Sequence, residues 1–171
     1  MTKRIFILNG MAQSGKDTFV TTLHKLGIET IHYSYVDFTR DMLENAGILT
    51  NKKTDKLRKL LCDVNNSLEE YDDIPFRDCC SIIENFIEGF IEGDWLLIDC
   101  REPKNIDRLK KCVDTNVETI FIKSNRICNA SSADMAVSEE YEYDYYIDNT
   151  GTLSEFELNI EEFTRNLKLV K

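Results

Sequence analysis

A glycine-containing loop between an apolar run and an amphipathic segment constrains this chain more than any other feature. The loop, residues 10–18, has the sequence GMAQSGKDT and follows the apolar run of residues 5–8. The amphipathic segment after it continues to about Leu26. A short continuous apolar run is typical of a strand that is buried on both faces of a parallel sheet. The pattern therefore predicts a strand, a tight loop and a helix in direct succession.

The loop has the spacing of the phosphate-binding P-loop, with Asp17 at the position where serine or threonine is usual. Backbone amides of such a loop point inward, and the following helix adds the positive end of its dipole. Lys16 is expected to reach the β- and γ-phosphates of a nucleotide. We expect phosphate contacts from Gly10, Met11, Ala12, Gln13, Ser14, Gly15, Lys16, Asp17 and Thr18. The alternative is a chance glycine turn, which the uninterrupted match and its flanking elements disfavour.

Two carboxylates are candidate metal ligands. Asp17 can face Mg²⁺ directly or through a water, and its alternative role is to favour the helix dipole as a first-turn acid. Asp99 closes the apolar run of residues 95–99, where it can hold Mg²⁺ or its waters or else cap the next turn. Arg101 follows two residues later and offers a planar fork suited to a phosphate, unless it pairs with Glu102.

The remaining pattern predicts an α/β fold with about five strands in a mostly parallel sheet covered by helices on both faces. The expected strands are residues 4–8, 30–35, 95–99, 117–123 and 143–147. Between residues 36 and 93 the sequence predicts only helices, at 37–46, 54–68 and 78–91, with a break at Pro75. A last helix is expected at 153–167, with Ser154 as a candidate N-cap.

Composition excludes several classes of function. The chain has 171 residues, of which 42% are hydrophobic and 30% charged, as expected of one soluble globular domain. A net charge of −10 disfavours general nucleic-acid binding, although it leaves room for a nucleotide ligand. No apolar run is long enough to span a bilayer and the N-terminal residues do not resemble a secretion signal, so we expect a cytoplasmic protein without membrane partners. Six scattered cysteines predict reduced, mostly buried thiols rather than a zinc site.

With these pieces placed, the chain resembles nucleoside and deoxynucleoside monophosphate kinases of the type found in bacteriophages. The resemblance rests on GMAQSGKDT, on YSYVDFTRDM and TDKLRKLLCDVNN with YDDIPF, on LLIDCREP and on YEYDYYIDNTGTL. It implies a three-layer P-loop NTPase fold in a single domain over residues 1–171. It also implies a helical acceptor-binding insertion at about 36–93 and a short lid-like segment at about 124–142, in which Arg126 is the candidate lid arginine.

The resemblance further implies ATP and Mg²⁺ as cofactors and a phosphorylated small molecule as acceptor, with no indication of oligomeric state. Catalysis would fall to Lys16, Asp99, Arg101 and Arg126. The acceptor would be held by Asp37, Arg40, Arg58 and Arg101, while Asn149 and Gly151 would lie beside the base of the nucleotide. His24 and His32 receive no role.

Other readings of the same landmarks stay open. They also resemble animal-type phosphomevalonate kinase and, more distantly, dephospho-coenzyme A kinase. Lids of nucleotide kinases often present several arginines, whereas this segment offers Arg126 alone. The thin lid and the unusual Asp17 also fit a regulatory module that holds nucleotide without rapid turnover. A third reading is an interaction protein with a vestigial loop.

Overall fold

A five-stranded sheet forms the centre of the computed structural model, which describes residues 3–48, 54–125 and 140–169. The strands are β1 Arg4–Asn9, β2 Thr30–Ser34, β3 Trp95–Asp99, β4 Val117–Ser124 and β5 Tyr145–Asn149. Their order across the sheet is β2-β3-β1-β4-β5, and every neighbouring pair is parallel. The predicted mostly parallel sheet of about five strands is confirmed.

The register brings the carboxyl ends of three strands to one edge of the sheet. Leu8 of β1 lies opposite Asp99 of β3, and Ser34 of β2 lies opposite Asp99 on the other side. The residues that follow these strands must therefore share one crevice, which is where open α/β sheets bind ligands.

Helices cover both faces of the sheet and add an outer layer. They are α1 Lys16–Lys25, α2 Asp37–Asn45, α3 Asp55–Asp72, α4 Ile74–Glu88, α5 Pro103–Lys111 and α6 Leu153–Leu169. α1 and α6 pack together on one face, α4 and α5 cover the other, and α3 packs against α2 and α4. Between β2 and β3 the described residues contain no strand, as the sequence predicted. None of the helices in the described ranges is both long and apolar enough to cross a bilayer.

The two faces of β1 contribute to separate cores. Phe6 and Leu8 are fully buried against α1 and α6, whereas Ile7 is fully buried on the side of α4 and α5. Burial on both faces explains why β1 and β3 are continuous apolar runs. The predicted stripe of α6 is confirmed, since Phe156 and Ile160 are buried in the first of these cores.

The helix predicted at 78–91 begins earlier and ends earlier. Asp73 adopts a left-handed conformation with φ of 49°, which separates α3 from α4. Pro75 lies in the first turn of α4 rather than at a break, because a first-turn residue needs no amide donor. The expected apolar face is only partly buried, since Ile87 is exposed and Phe90, which is 76% exposed, lies beyond the end of the helix.

Strand and helix ends near the C-terminus also differ from expectation. β5 begins at Tyr145 rather than at residue 143 and ends at Asn149 rather than at residue 147. Ser154 is not the N-cap of α6. Thr152 takes that place, because its Oγ1 accepts from Glu155 N at 3.3 Å while Glu155 Oε2 accepts from Thr152 N at 2.7 Å.

The thiols are reduced where the structure describes them, but fewer are buried than predicted. Cys79 and Cys100 are buried, whereas the other three are only partly so: Cys62, Cys80 and Cys112. Cys128 lies outside the described residues.

Candidate active site

The P-loop, residues 10–18, turns sharply between β1 and α1. Gly10 and Gly15 have φ of 147° and 105°, backbone angles that residues with a side chain rarely adopt. A Cβ at Gly10 would lie 2.8 Å from Ile122 O, and one at Gly15 would lie 2.5 Å from Asn149 Nδ2. Both glycines are therefore required by conformation and by close packing. Gly15, at the N-cap of α1, offers no side chain to the first-turn amides, so this helix end is suited to an external anion.

Lys16 lies across the loop instead of extending into solvent. Its Nζ donates to Gly10 O at 2.9 Å and to Met11 O at 3.3 Å. These contacts hold a positive charge over the same loop whose helix end favours an anion. Phosphate binding by Lys16 stays a prediction, and this placement of its charge is consistent with it.

Two buried asparagines, each the last residue of a strand, contact the loop from β1 and from β5. Asn9 Oδ1 accepts from Gly10 N at 2.7 Å. Asn149 Nδ2, from β5, donates to Ser14 O at 2.7 Å. Asn149 thus contacts the loop backbone, and its predicted position beside the nucleotide base stays a prediction. Gly151 lies between β5 and α6, where a Cβ would come within 2.4 Å of Glu155 Oε2.

Asp99 contacts the imidazole of His32, a residue to which the sequence analysis gave no role. Its Oδ1 is buried and lies 3.1 Å from His32 Nε2. At this distance the two groups form an ion pair whenever the imidazole is protonated. The contact with Asp99 raises the pKa of His32, burial opposes the shift, and the charges of Asp17 and Asp37 reinforce it. The negative charges of Asp17, Asp37 and Asp99 therefore all act on the His32 imidazole at this edge of the sheet.

The carboxylates at this edge of the sheet are suitable ligands for a hard cation. Carboxylate oxygens are the protein ligands that Mg²⁺ prefers, and Asp99 offers a buried one, Oδ1, beside the His32 imidazole. No group of three His, Cys, Asp or Glu side chains within the described ranges is placed to hold a metal. Mg²⁺ usually keeps several waters and binds substrate phosphates, so two carboxylates are a sufficient protein contribution. The assignment of Asp17 and Asp99 as these two ligands stays a prediction.

Three of the four predicted acceptor-binding residues, Asp37, Arg40 and Arg58, lie on α2 and α3 and form local ion pairs. Asp37 pairs with Arg40 one turn along α2, and its Oδ2 accepts from Ser34 N at 2.7 Å. Burial raises the pKa of Asp37, although the Ser34 amide and the Arg40 charge oppose the shift. Arg58 lies 3.4 Å from Asp55 on the exposed side of α3. The structure brings Asp37 and Arg40 close to the sheet edge and leaves Arg58 on a solvated surface.

Arg101 follows β3 on the same sheet edge as the P-loop. Its backbone carbonyl accepts from Asn9 Nδ2 at 3.1 Å, which joins the residues after β3 to the end of β1. The backbone of Arg101 is thus close to the start of the P-loop, and the expectation that its side chain faces the same crevice as Lys16 stays a prediction. Arg126 and most of the expected lid at 124–142 lie outside the described residues.

Sequence reasoning missed Asn9, His32 and Tyr143, whose hydroxyl accepts from Asn9 Nδ2 at 2.8 Å. Asn9 carried a detectable signal, because it is a polar residue that ends an apolar run immediately before the loop. His32 and Tyr143 carried none, since their contacts depend on which strands are neighbours.

No protein-family model matches the sequence, and neither does any curated protein. Solved structures do match. APS kinase CysC from Mycobacterium tuberculosis, in complex with AMPPNP and APS, has a TM-score of 0.56 at 11% identity, covering 98% of each chain. A sugar kinase from Janibacter has a TM-score of 0.52 at 15% identity, covering 99% of this chain and 96% of that one. Shikimate kinase from Aquifex aeolicus has a TM-score of 0.51 at 14% identity, covering 98% of this chain and 99% of that one. The parallel sheet with helices on both faces is the P-loop kinase fold of these structures.

Proposed function

We propose that this protein transfers the γ-phosphoryl group of ATP, with Mg²⁺, to a phosphorylated small molecule, first among them a (deoxy)nucleoside monophosphate. The observation that carries the proposal is the position of Lys16, held over the P-loop by two carbonyl contacts beside a sheet edge that carries Asp99 and Arg101. The APS kinase neighbour, which contains AMPPNP and APS, supports an ATP-like donor and a small acceptor.

The proposed chemistry asks the protein for positioning and charge rather than for covalent participation. Lys16 and the amides at the start of α1 would bind the donor phosphates, and Arg101 would stabilise charge on the transferred group. Asp17 and Asp99 would hold Mg²⁺, which neutralises phosphate charge when bound. Arg126 stays a predicted lid arginine. The helices between β2 and β3 would bind the acceptor, with Asp37 and Arg40 closest to the sheet edge.

A second candidate acceptor is a hydroxylated compound without a phosphate. It is favoured by the pairing of Arg40 with Asp37 and of Arg58 with Asp55, because two of the three arginines predicted to bind the acceptor phosphate already face carboxylates. A sugar kinase and a shikimate kinase are among the matching structures, which fits the same idea.

An acceptor panel tests both candidates. Purified protein with ATP and Mg²⁺ is given nucleoside and deoxynucleoside monophosphates, phosphomevalonate, dephospho-coenzyme A, sugars and hydroxylated acids, and ADP is measured. We expect ADP formation with a phosphorylated acceptor. ADP formation with an unphosphorylated polyol alone would transfer the proposal to the second candidate.

Ligand binding separates a kinase from the other readings. ATP with Mg²⁺ at a hundred times its dissociation constant stabilises a folded protein by about 2.7 kcal/mol. Stabilisation without turnover on any acceptor would indicate a nucleotide-holding module. The absence of both would indicate a vestigial loop and would overturn the proposal.

A further inference from the structure

The carboxamide of Asn9 joins three separate segments around the candidate active site. Its Oδ1 accepts from Gly10 N at 2.7 Å, and its Nδ2 donates to Arg101 O at 3.1 Å and to Tyr143 OH at 2.8 Å. The side chain is fully buried. One residue of β1 therefore contacts the start of the P-loop, the residues after β3 and the segment before β5.

The orientation of this carboxamide is determined by its partners. Gly10 N can only donate a hydrogen bond and Arg101 O can only accept one, so the oxygen of Asn9 must face the loop and the nitrogen must face Arg101. Burial raises the pKa of Tyr143 to about 12, so its hydroxyl stays protonated and accepts through a lone pair. Rotation of the carboxamide would leave buried groups unsatisfied, which makes the arrangement rigid.

The contacts of Asn9 lead to the backbone around two of the cations that the proposed reaction uses, Lys16 and Arg101. Gly10, whose amide Asn9 holds, offers its own carbonyl to Lys16 Nζ at 2.9 Å. On the other side, Asn9 holds the main chain of Arg101. The main-chain bond from Cys100 N to Leu8 O, at 3.3 Å, also joins β1 to this segment. The Asn9 carboxamide adds a buried side-chain link between the start of the P-loop and the backbone of Arg101 itself.

We propose that Asn9 is a positioning residue that holds the Arg101 backbone against the P-loop, so that Arg101 and Lys16 act on the same phosphoryl group. The inference rests on the proposed function, because only phosphoryl transfer gives this placement a catalytic consequence. Oriented charge at a reacting centre loses much of its effect when it is displaced by about 1 Å.

The chain supplies a matched control in Asn149. It is also a buried asparagine at a strand end, and it also contacts the P-loop, through Ser14 O at 2.7 Å. Its described hydrogen bond goes to the loop rather than to the Arg101 backbone. A general loosening of the loop should follow from either alanine variant, whereas displacement of Arg101 should follow from Asn9→Ala alone.

A double-mutant cycle measures this difference. In the wild-type background, Arg101→Lys is expected to lower kcat by a factor on the order of ten to a thousand. In the Asn9→Ala background the same substitution should cost less than about threefold, because Arg101 is already displaced. In the Asn149→Ala background, Arg101→Lys should lower kcat by the same factor as in the wild-type background. The KM for ATP should change far less than kcat in Asn9→Ala. An equal cost of Arg101→Lys in all three backgrounds would overturn the proposal.

Asn9→Asp provides a second variant if Asn9→Ala folds poorly. It keeps an oxygen that accepts from Gly10 N but replaces the group that donates to Arg101 O. We expect it to reproduce the reduced cost of Arg101→Lys while thermal unfolding shows a folded protein.

A measurement without turnover separates failure of this inference from failure of the proposed function. If the wild type phosphorylates no acceptor, the proposed function fails, and backbone NMR decides the placement of Arg101. The Glu102 amide shares a peptide with the Arg101 carbonyl, so its resonance should move in Asn9→Ala and stay in place in Asn149→Ala. An unmoved Glu102 amide in Asn9→Ala would overturn the inference whatever the activity.

Discussion

Lys16 owes its position to the loop that precedes it. The two carbonyls that bind its ammonium group belong to Gly10 and Met11, and the conformation of Gly10 is accessible to few other residues. A flexible four-carbon side chain would otherwise sample many rotamers, so these contacts reduce the entropy that phosphate binding must overcome.

Lys16→Ala should lower turnover by at least a factor on the order of a hundred, because it removes an oriented charge from the phosphate site. The expected fold is unchanged, since Lys16 contributes no apolar core contact. The measurement is steady-state kinetics with the acceptor found in the panel. Lys25→Ala is the matched control, because Lys25 lies on the same helix but pairs with Glu157 on the surface, 2.7 Å away. Activity of Lys16→Ala within tenfold of the wild type would contradict the phosphate-binding assignment.

At the scale of elements, helix α6 shows how a local motif sets a boundary. Thr152 and Glu155 exchange hydrogen bonds across the first turn, and both distances fit a capping box. These bonds lower the pKa of Glu155. Ser154, in the middle of the first turn, is exposed. The helix begins at Leu153, as predicted, but its N-cap is Thr152, two residues before the predicted Ser154.

Thr152→Ala should therefore lower the free energy of unfolding by about 1 kcal/mol, as the loss of an N-cap hydroxyl typically does. Ser154→Ala should change it by less than about 0.5 kcal/mol, as expected of an exposed residue away from the cap. Urea denaturation of both variants measures the difference. A larger effect at Ser154 than at Thr152 would show that the cap has been assigned to the wrong residue.

At the scale of the whole molecule, Asp144 connects elements that are distant in the chain. Its Oδ2 accepts from Thr119 N at 2.8 Å and Thr119 Oγ1 at 2.7 Å, both in β4, and from Lys110 Nζ at 3.1 Å in α5. Burial alone would raise the pKa of Asp144, but the bonds from Thr119 and Lys110 outweigh it and lower the pKa. The carboxylate thus favours the folded state although the chain already carries a net charge of −10.

Asp144→Asn should be less stable than the wild type by about 1 kcal/mol near neutral pH, a value reduced for the partial exposure of the group. Because the folded-state pKa is lowered, the advantage of the wild type is present above the ordinary carboxyl range. It is lost as pH falls through the folded-state value. Thermal unfolding between neutral and acidic pH measures this. Asp114→Asn, at an exposed carboxylate, controls for the removal of one negative charge. A constant difference between wild type and Asp144→Asn down to the most acidic pH would contradict the assignment.

Much of the fold could be predicted because its signals are local. Apolar runs marked β1 and β3, glycine spacing marked the P-loop, and the alternation of strands and helices predicted a parallel sheet. The same local signals failed at Ile87 and Phe90, whose helical spacing matches an apolar face that α4 does not bury. Periodicity shows which residues share a face, but burial depends on whether another element covers that face.

The candidate site divides in the same way. By itself the sequence determined the phosphate loop, with Lys16 and Asp17, because those residues are neighbours in the chain. Only the tertiary structure decided that His32 faces Asp99, and that Asn9 meets both Arg101 and Tyr143. These contacts follow from the order β2-β3-β1-β4-β5 and from strand register, which place residues far apart in sequence at one edge. Strand order is set by how the faces of all five strands are buried together, and no single segment of the chain carries that information.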